Sequence, residues 1–140
     1  MYDDVLVPTD GSEGVEQAVA HASAIADRFD ATVHTVHVVQ TPDFADQLEG
    51  SVVERLERAG REAVGAVEQQ AAGAGTGNVE SAVLEGVPSE EIVGYAADRG
   101  IDVIVMATAG RTGAEREMVG SVTEAVIRRS TVPVLTVNVG

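Results

Sequence analysis

Gly110, Gly120 and Ser121 lie in the stretch IDVIVMATAGRTGAEREMVGSV, residues 101–122. There an apolar run from Ile101 to Met106 gives way to a glycine-bearing connection and then to a fresh helical pattern. A strand, a long turn and a helix start are expected. The first N–H groups of a helix lack intrahelical partners and sit at the positive end of its dipole, so the chemistry that suits this place is phosphate binding. A second polar group, Thr9-Asp10-Gly11-Ser12, follows the apolar run Val5 to Val7 and Pro8, and carries turn and helix-cap residue types.

Other chemistries are poorly served. Every basic residue is Arg, so the Lys that defines a Walker A loop is missing. No motif places a general base, and no catalytic residue is assigned. The chain has no Cys, which excludes disulfides and cysteine metal sites. His34 and His37 are three apart on an expected strand and face opposite sides, so they cannot hold one metal as a pair. Together with His21 they read as packed or surface imidazoles, and no metal ligand is assigned.

The elements that position the polar groups alternate along the chain. Strands are expected at Val5–Val7, Ala31–Val39, Val79–Leu84, Ile101–Met106 and Val132–Val139, where β-branched residues run together. Between Ser12 and Phe29, apolar residues from Val15 to Phe29 recur at helical spacing, with Ser12 as the expected N-cap and Glu13 in the first turn. Asp43 to Ala72 carries an apolar stripe from Val52 to Val67, interrupted by Gly50, Gly60 and Gly65. Each glycine weakens a helix by up to about 1 kcal/mol relative to Ala, so residues 42–50 read as a loop. Pro88 and two acids open a third helix, for which Gly100 is the C′ residue. A fourth runs past Val122 and Val126 to Arg128 and Arg129, the sign its last turn prefers.

Short apolar strands alternating with helices indicate a doubly wound α/β fold, a five-stranded parallel sheet with helices on both faces. With strand order 3-2-1-4-5, ligands are expected beyond the carboxyl ends of the first and fourth strands. The loops at Thr9-Asp10 and at Ala107 to Gly110 then face each other across one crevice. Residues 1–140 are read as a single domain.

The net charge of −14 argues against nonspecific nucleic-acid binding, which needs a basic surface. Such an acidic, lysine-free surface looks like that of a protein from a salt-loaded cytoplasm. No stretch approaches the roughly 20 apolar residues of a membrane span. MYDDVLVPTD lacks a basic n-region, so a soluble, cytoplasmic protein is expected.

Three patterns stand in register with the strands: P-T-D at residues 8–10, G-V-P-S-E-E-I at 86–92, and G-x9-G-S at 110–121 followed by V-x-E at 122–124. Together they resemble the universal stress protein family, specifically its ATP-binding branch, over Tyr2 to Val139. The family's nucleotide motif is G-x2-G-x9-G-[ST]. Gly110, the nine residues Arg111 to Val119, and Gly120-Ser121 match it, while Ala107 replaces the first glycine. If that position needs φ > 0, alanine costs on the order of 1 kcal/mol; if it needs only a small side chain, the cost is near zero.

The resemblance implies an ATP-binding stress-response or signalling module, with Mg²⁺ held by the phosphates. Gly110, Gly120, Ser121, Val122 and Thr123 would contact the phosphates and Ala107 would lie near the ribose. Pro8, Thr9, Asp10, Val38 and Met106 would frame the nucleoside, Asp10 accepting from a ribose hydroxyl or from the adenine amino group. Slow hydrolysis, or phosphoryl transfer to Ser121 or Thr123, marks the upper limit of enzymatic activity expected. The resemblance also implies a homodimer paired through the last strand, Val132 to Val139. The acidic surface adds the expectation of a halophilic archaeal source.

Competing readings fare less well. Taking Gly110 and Gly113 as the paired glycines leaves six residues before Gly120 rather than nine. Arg111 and Arg116 read as solvated rather than phosphate-bound. An adenylating ATP pyrophosphatase expects S-G-G-x-D-S where this chain has Thr9-Asp10-Gly11-Ser12-Glu13-Gly14. A flavin carrier needs aromatic walls, and the only aromatics are Tyr2, Phe29, Phe44 and Tyr95. A dimeric protein-interaction module that uses no nucleotide remains the alternative.

Overall fold

A computed structural model describes residues 1–40, 50–108 and 120–139. Five strands and four helices alternate along these residues: β1 (Asp4–Pro8), α1 (Val15–Phe29), β2 (Thr32–Val39), α2 (Gly50–Gly73), β3 (Val79–Glu85), α3 (Pro88–Asp98), β4 (Val103–Thr108), α4 (Ser121–Arg129) and β5 (Val134–Asn138). The strands form one sheet in the order β3-β2-β1-β4-β5, every pair parallel. This is the doubly wound architecture expected from the sequence. Gly110, Gly113, Arg111, Arg116 and residues 42–49 of the loop expected at 42–50 lie outside the described residues, while Gly50 is the first residue of α2.

Successive side chains of a strand point to opposite faces, so a strand covered on both faces is apolar throughout. In β1, Val5, Leu6 and Val7 are all fully buried. Val5 and Val7 enter a core packed by α1 and α2 through Val19, Ala22 and Val67, while Leu6 joins Ile92, Ile104 and Val126 beneath α3 and α4. The two histidines of β2 divide in the same way. His37 faces Gly60 of α2, and His34 is buried against Tyr95 of α3.

His34 is held at both ring nitrogens. Its Nε2 lies 2.8 Å from Oδ1 of Asp4 and its Nδ1 lies 2.8 Å from the Tyr95 hydroxyl. A carboxylate only accepts, so Nε2 carries the hydrogen, and in the neutral ring Nδ1 accepts from Tyr95. Burial raises the Tyr95 phenol above its usual value, partly opposed by the Arg99 guanidinium 5.3 Å above its ring.

Three local expectations change. Ser12 does not cap α1, whose N-cap position is Gly14 with no side-chain hydrogen bond. Asp10 intervenes: its Oδ1 accepts from the Ser12 N–H at 2.9 Å, and Gly11 at φ +85° turns the chain. The expected cap residue is thereby spent in a turn before the helix. The last strand is shorter than Val132–Val139, because the Ser130 hydroxyl binds both the N–H and the carbonyl of Val132 and holds a turn ahead of Val134. Gly60, read as a weak point of α2, sits at a close approach: a Cβ there would lie 2.9 Å from Cδ2 of His37 and 3.0 Å from Cγ1 of Val83. Gly100 is the C′ residue expected, at φ +63°, and the Ile101 N–H closes the helix end on the Ala96 carbonyl.

Candidate functional site

The carboxyl ends of the strands open into a cavity of about 700 Å³, within the range of small-molecule sites. β1 and its exit contribute Pro8, Thr9 and Asp10; β2 contributes Val38; β4 contributes Met106 and Ala107; the start of α4 contributes Gly120, Ser121, Val122 and Thr123. Ten of the eleven site residues expected from the sequence therefore line one cavity, and Gly110 lies outside the described residues. The crevice lies where the order of strands reverses, between β1 and β4.

Each wall has a physical cause. β1 stops at Pro8, and the loop after it is fixed by two short bonds, the Gly11 N–H donating to Oγ1 of Thr9 at 3.0 Å and the Ser12 N–H to Oδ1 of Asp10. The Asp10 side chain is thereby aimed by its own turn while remaining exposed. Across the cavity, Gly120 is the N-cap of α4 and makes no side-chain cap bond, and no described side chain caps that end. The first N–H groups of α4 have no intrahelical partner, and Gly120 to Thr123 line the cavity. A Cβ on Gly120 would meet no described atom within 4 Å, so packing among the described residues does not demand glycine here.

Ala107 lies inside β4, paired in register with Val137. Among the described non-glycine residues only Asp30 has positive φ, so Ala107 adopts an ordinary extended conformation. The alanine carries no backbone strain.

The cavity is electrostatically one-sided. Asp10 is its only carboxylate among the described residues, and no Arg lines it. Among the described residues, attraction for an anion comes from the helix start and not from side-chain cations. No described group of three or more His, Asp or Glu residues is placed to hold a metal ion. A second cleft of about 530 Å³ lies between α2 and β3, lined by Glu57, Arg61 and Glu68 among others, and contains none of the expected residues. Among the described residues no helix is long and apolar enough to cross a membrane.

The family model for the universal stress protein family matches residues 1–138. The chain belongs to that family. Universal stress protein MJ0531 of Methanocaldococcus jannaschii is 41% identical, aligned over 98% of this universal stress protein and 82% of its own length. The solved structure of MJ0577 from the same organism superposes with a TM-score of 0.86 at 32% identity, covering 100% of this chain and 98% of that one. A universal stress protein solved in complex with cAMP superposes with a TM-score of 0.73 at 27% identity, covering 98% and 97% of the two chains.

The cavity of this universal stress protein also contains residues outside the expected site set. His37, Gln40, Pro88, Thr108 and Val139 line it. His37, which the sequence offers as a packed or surface imidazole, has its Nδ1 2.9 Å from the carbonyl oxygen of Thr9, at the β1 exit. The neighbouring G-V-P segment, which brings Pro88 to the cavity, was the one available signal for that wall.

Proposed function

We propose that this chain is an adenine-nucleotide-binding universal stress protein of the ATP-binding branch, acting as a stress-response or signalling module within one domain, residues 1–140. ATP is held with Mg²⁺ on its phosphates. Gly110, Gly120, Ser121, Val122 and Thr123 contact the phosphates, Ala107 lies near the ribose, and Pro8, Thr9, Asp10, Val38 and Met106 frame the nucleoside. The observation that carries this reading is the convergence of ten of those residues, from four separate elements, on one cavity of ligand size. Among the described residues, the space beside Gly120 and the lack of a side-chain cap at the start of α4 fit a phosphate, which needs close approach to backbone N–H groups. The relative in complex with cAMP supports an adenine nucleotide as the class of ligand. The protein works in the cytoplasm of a salt-loaded cell, a reading supported by the net charge of −14 without any Lys.

Thermal unfolding in molar salt, with and without Mg-ATP, Mg-ADP and cyclic AMP, tests this. A ligand at about 100 times its Kd stabilises by roughly 2.7 kcal/mol. No shift with any of the three at millimolar concentration rejects nucleotide binding. That result would promote the second reading, a dimeric interaction module using no nucleotide. Its support is β5, an edge strand with Leu135 exposed, suited to pairing with a second copy. Sedimentation measures that dimer directly, and in the first reading the same dimer forms.

A further inference from the structure

At the mouth of the cavity the β1–β2 ladder lacks a bond that its own register calls for. The strands run parallel with Pro8 opposite Val36, and the Thr9 N–H donates to the Val36 carbonyl at 2.9 Å. In a parallel ladder the next bond runs from the Val38 N–H to the Thr9 carbonyl. No such bond is made among the described residues. Nδ1 of His37 lies 2.9 Å from the Thr9 carbonyl instead. A carbonyl only accepts, so Nδ1 carries the hydrogen.

Two further observations bear on that imidazole. Glycine at position 60 leaves α2 room for the ring, since a Cβ would come within 2.9 Å of Cδ2. The Val36 carbonyl points toward β1, and alternate residues of a strand share that direction, so the Val38 N–H and carbonyl point past the end of β1. Val38, Thr9 and Asp10 line the cavity there.

We propose that His37 is a positioning residue of the nucleotide site. By taking the Thr9 carbonyl it turns the Thr9-Asp10 peptide out of the ladder, aims Asp10 into the cavity and leaves the Val38 backbone open toward the ligand. Gly60 is the space that permits this. The role rests on the adenine-nucleotide reading of the cavity.

Imidazole ¹⁵N shifts in the ligand-free protein test the bond itself: Nδ1 is expected to be protonated, and a ring protonated only at Nε2 overturns the inference. Calorimetry with Mg-ATP then compares wild type, His37→Asn and His37→Leu. The Asn side-chain N–H lies close to where Nδ1 sits, whereas Leu has no donor. His37→Asn is expected to bind within about threefold of wild type and His37→Leu about tenfold more weakly, the range of one hydrogen bond. Gly60→Ala, which pushes on the ring from α2, should weaken binding in the same direction without touching the donor. Equal affinity of His37→Leu and wild type overturns the role, as does His37→Asn falling as far as His37→Leu. A wild type that binds no nucleotide overturns the reading of the cavity and this role with it, an outcome recognisable without any variant.

Discussion

Ala107 stands opposite Val137 in the β4–β5 ladder. The position therefore needs a strand residue, and the glycine of the family motif is not required for backbone conformation. Ala107→Gly should lower stability by about 0.5–1 kcal/mol through lost chain stiffness. Its Mg-ATP affinity should stay within about twofold of wild type, a difference near 0.4 kcal/mol. Melting curves and calorimetry on the one variant check both halves; a gain of tenfold or more in affinity would refute the assignment.

Glycines 60 and 65 of α2 should respond oppositely to the same change. Gly65→Ala meets no described atom within 4 Å and should gain about 0.5–1 kcal/mol from helix propensity. Gly60→Ala drives a methyl group to 2.9 Å from His37 and 3.0 Å from Val83. Overpacking of that kind costs about 1–3 kcal/mol, which exceeds the propensity gain. Urea unfolding of the two variants should place their midpoints on opposite sides of wild type.

Affinity for a polyphosphate should rise with salt, contrary to the usual behaviour of phosphate sites. The net charge is −14, Asp10 lines the cavity, and no described Arg does. Raising ionic strength from about 0.01 M to 0.15 M shortens the screening length from about 30 Å to 8 Å and weakens the repulsion. Calorimetry with Mg-ATP and with uncharged adenosine, on protein verified as folded at each salt, separates the effects. Mg-ATP should tighten while adenosine changes little; Mg-ATP weakening with salt would point to a cationic side chain at the phosphates.

Alkaline stability should depend on Tyr95. Burial raises its phenol above the usual 10.0, so the neutral form is favoured in the folded chain. That contribution is complete below about pH 10 and is lost as pH climbs through the folded value. Tyr95→Phe removes the partner of His34 Nδ1, a cost of about 1–3 kcal/mol for a buried acceptor left unmade. The gap between wild type and Tyr95→Phe should narrow above pH 10, as followed by urea unfolding from pH 8 to 11. A constant gap would show that ionisation of Tyr95 is not coupled to unfolding.

The sheet was legible because its central strands are buried on both faces and so read as unbroken apolar runs, Val5-Leu6-Val7 and Val103 to Met106. Pro8 ends β1 and Gly120-Ser121 starts α4 for local reasons, which is why spacing along the chain found both walls of the cavity. What local pattern could not supply was a contact between elements. Gly60 looked like a weakness because propensity is a property of its own helix, whereas the reason for it, the ring of His37, stands on β2. His37 looked inert because its partner is a backbone carbonyl on a third element. Ser12 was misread because its own N–H is taken by Asp10 in a turn with Gly11 at φ +85°, which moves the helix start on to Gly14.

The place of β1 in the sheet has a consequence for how the molecule is made. Of the five strands β1 is synthesised first and stands in the middle in space; β2 can join one edge once residues 32–39 exist, but the other edge waits for residues 103–108. Until then three side chains that end wholly buried stand beside an open edge. The cavity straddles this last joint, with Thr9 and Asp10 on the early side and Met106, Ala107 and the start of α4 on the late side. A molecule lodged there would span the joint, so the complete cavity exists only once the second half of the chain has docked.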